Sequence, residues 1–216
     1  MSSLFIYLHG FASSPRSAKA QDLRDRFQAF GIALITPDLN QPDFAQLTLS
    51  RQLEQVAALL PIDQPVTIIG SSFGGLTAAW LAEQHPQIER LILLAPAFQF
   101  LAQWLPRLGE STVQQWQAQN FLGVYHHAEQ KMLPLTYSFV ADLKQYDDAQ
   151  LQRSVPTLLL HGTQDDVISI QASQDYAKRR SEVQLIELDS DHALGNVTDE
   201  IWKAICGFCQ LPSASV

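Results

Sequence analysis

Short apolar, β-rich segments alternate with longer segments of helical character, and this alternation constrains the fold more than any other feature. The six apolar segments lie at residues 4–8, 32–36, 66–69, 91–94, 157–160 and 183–188. The segment 91–94 (LILL) contains no polar residue, as expected for a strand that is buried on both faces. Strands of this kind occur in parallel sheets that are covered by helices. The sequence therefore predicts an α/β fold with about six mostly parallel strands.

The segments between these strands predict flanking helices. They lie at residues 18–30, 44–60, 74–85, 170–180 and 193–208. Gly31 follows the first helix and Pro86 follows the third, and both residue types commonly end helices. A length of 216 residues suits a single domain, residues 1–216, with room for an inserted region.

The alternation is interrupted between the fourth and fifth strands. Residues 98–153 intervene there, and they are rich in aromatic side chains, including Trp104 and Trp116. Such a density is too high for a solvated linker, so we expect short helices that cover an apolar surface and act as a lid. A peripheral helical layer with its own small core is the alternative.

The sharpest motif lies directly after the third strand. Residues 70–74 read GSSFG and match the G-x-S-x-G nucleophile elbow, with Ser72 at the centre. A sharp strand-to-helix turn exposes the serine hydroxyl in this motif, and glycines avoid a collision across the turn. The alternative is a small-residue turn in which Ser71 or Ser72 caps the helix.

A serine nucleophile needs an imidazole to accept its proton and a carboxylate to orient that imidazole. Asp165 and Asp166 follow the fifth strand, and His192 follows the sixth and is the last histidine of the chain. The carboxyl ends of parallel strands meet at one edge of a sheet, where open α/β sheets bind ligands. The order Ser, Asp, His therefore predicts a catalytic triad at that edge.

Residues 7–20 (YLHGFASSPRSAKA) are similar to the opening of small bacterial YqiA/YcfP-like esterases, and the whole chain resembles the α/β-hydrolases. This resemblance spans nearly the full length and implies an α/β-hydrolase fold, to which residues 98–153 would add the helical lid insert expected above. It also implies an oxyanion hole formed by the backbone N–H groups of Phe11 and Phe73. Losing one such donor costs ~3–4 kcal/mol of transition-state stabilisation.

The resemblance also bears on the triad acid. The family pattern H-G-x-x-D begins at His161 and maps onto Asp165, which leaves Asp166 as the alternative. Asp147 and Asp148 are weaker candidates, because they precede the fifth strand, and we expect them to cap or solvate it.

The other histidines have structural interpretations. We expect His9 and His161, which precede glycines at strand ends, to hydrogen-bond loop backbone. His85 is interpreted as a surface helix end, and His126 and His127 as lid surface, since no second ligand type lies at metal spacing. The sequence therefore predicts neither a metal site nor a cofactor.

Cys206 and Cys209 form a C-x-x-C pair at a predicted helix C-terminus. Redox pairs of this kind lie at a helix N-terminus, where the thiol pKa is lowered. Both thiols share a helical spacing with Ile205, which favours core packing, and a dithiol redox function is the alternative. Two cysteines also suit a reducing compartment.

Charge and hydropathy narrow the range of partners. The chain has 14 basic and 22 acidic residues, a net charge of −8, which argues against nucleic acids and anionic membrane surfaces. No apolar run approaches the ~20 residues that span a bilayer, and residues 1–8 lack the basic start of a signal peptide. We therefore expect a cytoplasmic protein with a small-molecule substrate. Arg16 and Lys19 are interpreted as a solvated helix start, with contact to an anionic substrate group as the alternative.

The triad order thus predicts a serine hydrolase that acts through an acyl-enzyme, and the aromatic insert favours an apolar acyl or aryl group. The resemblance implies a carboxylesterase for small to medium esters. An acyl thioesterase of the same mechanism and a non-catalytic hydrolase-fold ligand-binding protein are the alternatives.

Overall fold

The predicted strands form because alternate side chains of each apolar segment enter two separate cores. In a computed structural model, which describes residues 3–211, Ile6 and Ile68 face one core, whereas Tyr7 and Ile69 face the other. The strands are β1 (Leu4–Leu8), β2 (Leu34–Ile35), β3 (Val66–Ser71), β4 (Ile88–Leu94), β5 (Phe121–His126), β6 (Lys131–Thr136), β7 (Thr157–Gly162) and β8 (Val183–Leu188).

Six strands form one parallel sheet with the order β2-β1-β3-β4-β7-β8. These are the six strands that the apolar segments predict, although β2 is shorter and β4 begins earlier than expected. Because all six run in the same direction, the carboxyl ends of β1, β3, β7 and β8 share one edge. The segments that carry the candidate site follow these ends.

Helices cover both faces of the sheet. They are α1 (Ala18–Ala29), α2 (Leu49–Ala57), α3 (Phe73–Gln84), α4 (Phe100–Leu108), α5 (Glu110–Gln119), α6 (Ser138–Leu143), α7 (Ile170–Lys178) and α8 (Thr198–Cys209). The helices α2, α3 and α7 pack on one face, whereas α1 and α8 pack on the other. Within residues 3–211, no helix has the length and apolar character needed to cross a bilayer.

Two predicted helices are wrong in extent. The segment 44–60 contains a 3-10 turn at Phe44–Gln46 and then α2, because Thr48 is extended and its side chain accepts the Arg51 N–H as a helix N-cap. The last helix begins at Thr198, five residues later than the predicted start at 193. Residues 193–197 belong instead to the loop after β8, which also carries His192.

The interval between β4 and β7 is not purely helical, which corrects the prediction of a helical insert. It contains α4, α5 and α6, but residues 121–136 form an antiparallel hairpin of β5 and β6. Its outward positions include Phe121, Tyr125 and Met132, which are 50%, 48% and 60% exposed. The alternation of apolar and polar residues that signals a strand is therefore hidden, since both faces of the hairpin carry apolar side chains.

Candidate active site

The turn around Ser72 joins β3 to α3. Ser72 has φ 54° and ψ −118°, a strained conformation that residues with a side chain rarely adopt. Its N–H donates to the Leu94 carbonyl at 2.9 Å. A Cβ at Gly70 would overlap the Gly74 carbonyl, and a Cβ at Gly74 would overlap the Leu8 carbonyl. The turn therefore requires glycine at both flanking positions, as the motif predicts.

The partly exposed Ser72 hydroxyl faces an imidazole. Ser72 Oγ lies 3.0 Å from His192 Nε2, and His192 Nδ1 lies 2.7 Å from Asp165 Oδ2. The His192 side chain is 21% exposed, whereas that of Asp165 is 0% exposed. Within residues 3–211, the Ser72 side chain makes no capping hydrogen bond to α3, which argues against the capping alternative. The imidazole thus connects the hydroxyl of a partly exposed serine to a buried carboxylate.

Close packing of two loops brings the acid and the imidazole together. Asp165 follows β7 and His192 follows β8, and these two strands are neighbours in the sheet. A Cβ at Gly162 would overlap the backbone carbonyls of the second loop, so the loops approach at backbone distance. The Asp191 carboxylate accepts hydrogen bonds from the N–H groups of the two residues after His192, at 2.9 and 3.2 Å. This turn fixes the backbone from which His192 projects.

Four donors surround the Asp165 carboxylate. Its Oδ1 accepts the N–H groups of Val167 and Ile168, both at 2.8 Å, and its Oδ2 contacts His192 Nδ1 at 2.7 Å and His161 Nε2 at 3.0 Å. Burial alone would raise the pKa of Asp165, but hydrogen bonds from His161 and His192 outweigh burial and hold the pKa below its usual range. The carboxylate therefore stays ionised and can orient the imidazole.

His161 is the site residue that the sequence interpretation misses. Its expected backbone contact is present, because Nε2 lies 3.0 Å from the Ile168 carbonyl, but the same nitrogen also contacts Asp165. Its Nδ1 lies 2.7 Å from the Ser173 hydroxyl, so both ring nitrogens are engaged. The four-residue spacing of His161 and Asp165 in H-G-x-x-D was the available signal. Asp166, the alternative acid, is exposed.

The loop after β1 that carries Phe11, here called the oxyanion loop after its predicted role, passes beside Ser72. A Cβ at Gly10 would lie 3.3 Å from the Ser72 Cβ, so the residue directly before Phe11 packs against Ser72. His9 fixes this loop as expected, since Nδ1 contacts the Gly10 carbonyl at 2.9 Å and Nε2 accepts the Leu39 N–H at 3.0 Å.

Phe73, the second predicted oxyanion residue, is the first residue of α3. N–H groups in the first turn of a helix have no partner within the helix and favour negative charge. The placement of Phe11 and Phe73 on the two segments that flank Ser72 is compatible with the predicted roles, which stay predictions.

The side chains of Phe11 and Phe73 belong to one aromatic cluster. Its members are Phe11, Phe44, Phe73, Phe100, Trp104 and Phe139. The other five rings surround Phe11 at centroid distances from 5.3 to 6.1 Å. Because α4 and α6 supply three of these rings, the insert packs directly over the oxyanion loop.

The hairpin of the insert also contacts this loop. The His127 N–H donates to the Ala12 carbonyl at 2.9 Å, next to Phe11. His127 is exposed, as expected for lid surface, but that expectation is wrong for His126, which is 2% exposed. The His126 ring packs edge-on against Phe44 at 4.9 Å and is therefore part of the core under the hairpin.

The other candidates lie away from the Ser72 site. Asp147 caps the 3-10 turn at Asp148–Gln150, and Asp148 accepts the Gln99 N–H at 2.6 Å.

Cys206 and Cys209 lie near the end of α8, where burial raises the pKa of Cys206 and raises that of Cys209 to about 11. Both thiols are therefore protonated at neutral pH and unsuited to redox exchange. Among residues 3–211, no three His, Cys, Asp or Glu side chains are grouped to hold a metal ion.

A family match covers almost the whole chain. Residues 4–209 match the family described as "Uncharacterised protein family (UPF0227)". The chain belongs to this family. Membership in UPF0227 confirms the resemblance to YqiA/YcfP-like proteins that the segment at residues 7–20 carries.

Solved structures show the same fold as this UPF0227 member. Est1E from Butyrivibrio proteoclasticus, with ferulic acid bound, aligns with a TM-score of 0.80 at 20% identity over 97% of this chain and 88% of its own. The mouse alpha/beta hydrolase domain-containing protein 10 aligns with a TM-score of 0.80 at 23% identity over 98% and 90%. A monoacylglycerol lipase from Paleococcus ferrophilus aligns with a TM-score of 0.76 at 15% identity over 97% and 95%. The chain thus has the predicted α/β-hydrolase fold.

Proposed function

We propose that this protein is a serine carboxylesterase that hydrolyses small to medium acyl or aryl esters. The observation that carries the proposal is the pair of side-chain hydrogen bonds that join Ser72, His192 and Asp165. Ser72 Oγ lies 3.0 Å from His192 Nε2, and His192 Nδ1 lies 2.7 Å from Asp165 Oδ2. A neutral imidazole that donates from Nδ1 to Asp165 leaves Nε2 free to accept the Ser72 proton. The structural neighbours that are described as Est1E and as a monoacylglycerol lipase support an ester-hydrolysing function.

Acylation follows from this geometry. Ser72 Oγ forms a bond to the ester carbonyl carbon while its proton moves to His192 Nε2. The negative charge on the carbonyl oxygen is held by the N–H groups of Phe11 and Phe73. The bond to the leaving oxygen then breaks, and that oxygen takes the proton from His192. The product is an acyl-enzyme and a free alcohol.

Deacylation repeats these steps with water. His192 accepts a proton from a water molecule, whose oxygen forms a bond to the acyl carbon, and the Ser72 oxygen leaves and recovers the proton. Asp165 stays ionised throughout, because its role is to orient the imidazole and to stabilise the imidazolium. The aromatic cluster over the oxyanion loop supplies an apolar wall for the acyl or aryl group, and the insert acts as a lid.

The test is the hydrolysis of p-nitrophenyl esters from acetate to laurate by the wild type and by Ser72→Ala at equal folded concentration. We expect a chain-length optimum and a loss of at least ~10³-fold in kcat in the variant, because a triad without its nucleophile keeps only residual catalysis. Wild-type activity that persists in Ser72→Ala would show that another residue is the nucleophile. Inactivity of both proteins would favour a non-catalytic ligand-binding protein.

A further inference from the structure

A lysine from α1 contacts the nucleophile elbow from the face of the sheet opposite α3. The Lys19 ammonium donates to Ser71 Oγ at 3.0 Å, and Ser71 is the residue directly before Ser72. This contact corrects the expectation that Lys19 belongs to a solvated helix start. Arg16, which shares that expectation, is exposed.

Several groups face this ammonium. The Ser71 residue is 8% exposed, and its hydroxyl also faces the hydroxyl of Tyr7 on β1. Burial raises the pKa of Tyr7 to about 12, although hydrogen bonds to Ser71 and Ser17 lower it, so Tyr7 is neutral and contributes no charge. The carboxylates of Asp191 and Asp165 act on Lys19 from the loops after β8 and β7. The lysine thus contacts the elbow that carries Ser72 and is attracted by carboxylates of the loops that carry His192 and Asp165.

We propose that Lys19 is a positioning residue of the Ser72 site, and that its ammonium form, by donating a hydrogen bond to Ser71, keeps the elbow in the reactive conformation while its charge attracts the Asp191 carboxylate of the His192 loop. The proposal rests on the esterase function proposed above. An ammonium can only donate, so it fixes Ser71 Oγ as an acceptor and leaves the Ser71 proton for another acceptor, such as the Tyr7 oxygen. A hydrogen bond from outside the elbow helps to hold its strained backbone in place, because a serine disfavours the φ of 54° that Ser72 adopts.

The charge state of Lys19 changes within the working pH range of an esterase assay. Burial lowers the pKa of Lys19 to about 8, although Asp191 and Asp165 oppose this effect by favouring the charged form. Above pH 8 the amine becomes neutral, and its charge-assisted hydrogen bond to Ser71 becomes an ordinary one. Wild-type kcat is therefore expected to fall on the alkaline side, with a midpoint near pH 8.

The experiment measures kcat and KM for p-nitrophenyl butyrate from pH 6 to 10 in the wild type, Lys19→Met and Lys203→Met. The Ser72→Ala rate at each pH is subtracted as background. Lys203 is an exposed lysine on α8, so its replacement removes the same charge without touching the elbow. We expect Lys19→Met to lower kcat at pH 7 about tenfold, as for the loss of one charge-assisted hydrogen bond, with KM changed less than twofold. We also expect it to lack the alkaline fall, and Lys203→Met to match the wild type.

Two results would overturn the proposal. One is an alkaline fall in Lys19→Met that matches that of the wild type, and the other is an unchanged kcat at pH 7. Ser71→Ala provides the second variant if Lys19→Met does not fold, because it removes only a hydroxyl from the same contact. It should lower kcat and flatten the alkaline fall, and an unaltered profile would refute the positioning role.

The parallel Ser72→Ala measurement separates this proposal from the esterase function itself. Activity that survives in Ser72→Ala refutes the function, and with it the role of Lys19. Activity that is lost in Ser72→Ala but unaffected in Lys19→Met, or in Ser71→Ala where Lys19→Met does not fold, refutes only the role of Lys19.

Discussion

Asp165 is distinguished from its neighbour Asp166 by the donors that surround it. Asp165 is buried and holds His192 and His161 on one oxygen and two backbone N–H groups on the other, whereas Asp166 is exposed. An amide at Asp165 would present the wrong group to His192 and favour the wrong tautomer. We expect Asp165→Asn to lower kcat by about 10⁴-fold and Asp166→Asn to change it less than twofold.

The measurement is kcat for one p-nitrophenyl ester at pH 7.5, with circular dichroism to verify that both variants are folded. The two substitutions are chemically identical and one residue apart, so each controls for the other. A large loss in Asp166→Asn with little change in Asp165→Asn would reverse the assignment of the acid.

At the residue scale, motif spacing predicts which side chains meet but not what surrounds them. Ser72, Asp165 and His192 are found together because strand ends share one edge of the sheet, a property of topology that the sequence pattern reveals. The contact of Lys19 with Ser71 joins positions 52 residues apart. It has no sequence signal, because a lysine near a helix start is ordinarily solvated. The burial of His126 likewise depends on packing that no local pattern encodes.

At the scale of elements, the central sheet is predictable and the insert is not. The second half of β4, residues 91–94, is apolar on both faces, and Pro86 ends the helix before this strand, so the position of this half follows from local sequence, whereas the start of the strand at Ile88 does not. The hairpin at residues 121–136 carries apolar side chains on its exposed face and contains Pro134, so it lacks the alternation that identifies strands. Aromatic density across residues 98–153 indicated burial correctly for Trp116 and Phe139 but not for Phe121 and Tyr125. It also could not decide between helix and strand.

The insert supplies Trp104 from α4 to the aromatic cluster, and this element is expected to limit the acyl group. The Trp104 ring lies 5.4 Å from Phe11 and 5.7 Å from Trp116, so its removal opens space beside the oxyanion loop. We expect Trp104→Ala to shift the optimum in the p-nitrophenyl ester series toward longer chains by about four carbons, since loss of an indole leaves room for several methylene groups.

The matched control for this prediction is Tyr125→Ala, which removes an aromatic ring from the exposed face of the hairpin, where Tyr125 is 48% exposed. Its chain-length profile should coincide with that of the wild type. An unchanged profile in Trp104→Ala would show that the acyl group lies elsewhere, and the insert would then be a peripheral layer and not a lid.

At the scale of the whole molecule, the net charge affects how readily charged ester substrates approach the site. The charge of −8 gives a repulsive field for polyanionic substrates, and salt screens that field over a Debye length of about 10 Å at 0.1 M. Neutral esters are unaffected. A general esterase and a thioesterase for coenzyme A esters would use the same triad chemistry. The response to substrate charge can therefore distinguish them.

We therefore expect kcat/KM for octanoyl-coenzyme A to be lower than that for the uncharged octanoyl thioester of N-acetylcysteamine, and to rise as NaCl increases from 10 to 300 mM. The rise follows from the loss of long-range repulsion, and at least about twofold is expected for a substrate with several negative charges. The N-acetylcysteamine thioester, which has the same acyl group, should show a flat salt profile. A value for octanoyl-coenzyme A that starts higher and falls with salt would require a local basic site that overcomes the net charge. Arg16, exposed before α1 and close in sequence to the oxyanion loop, would then be the first residue to replace.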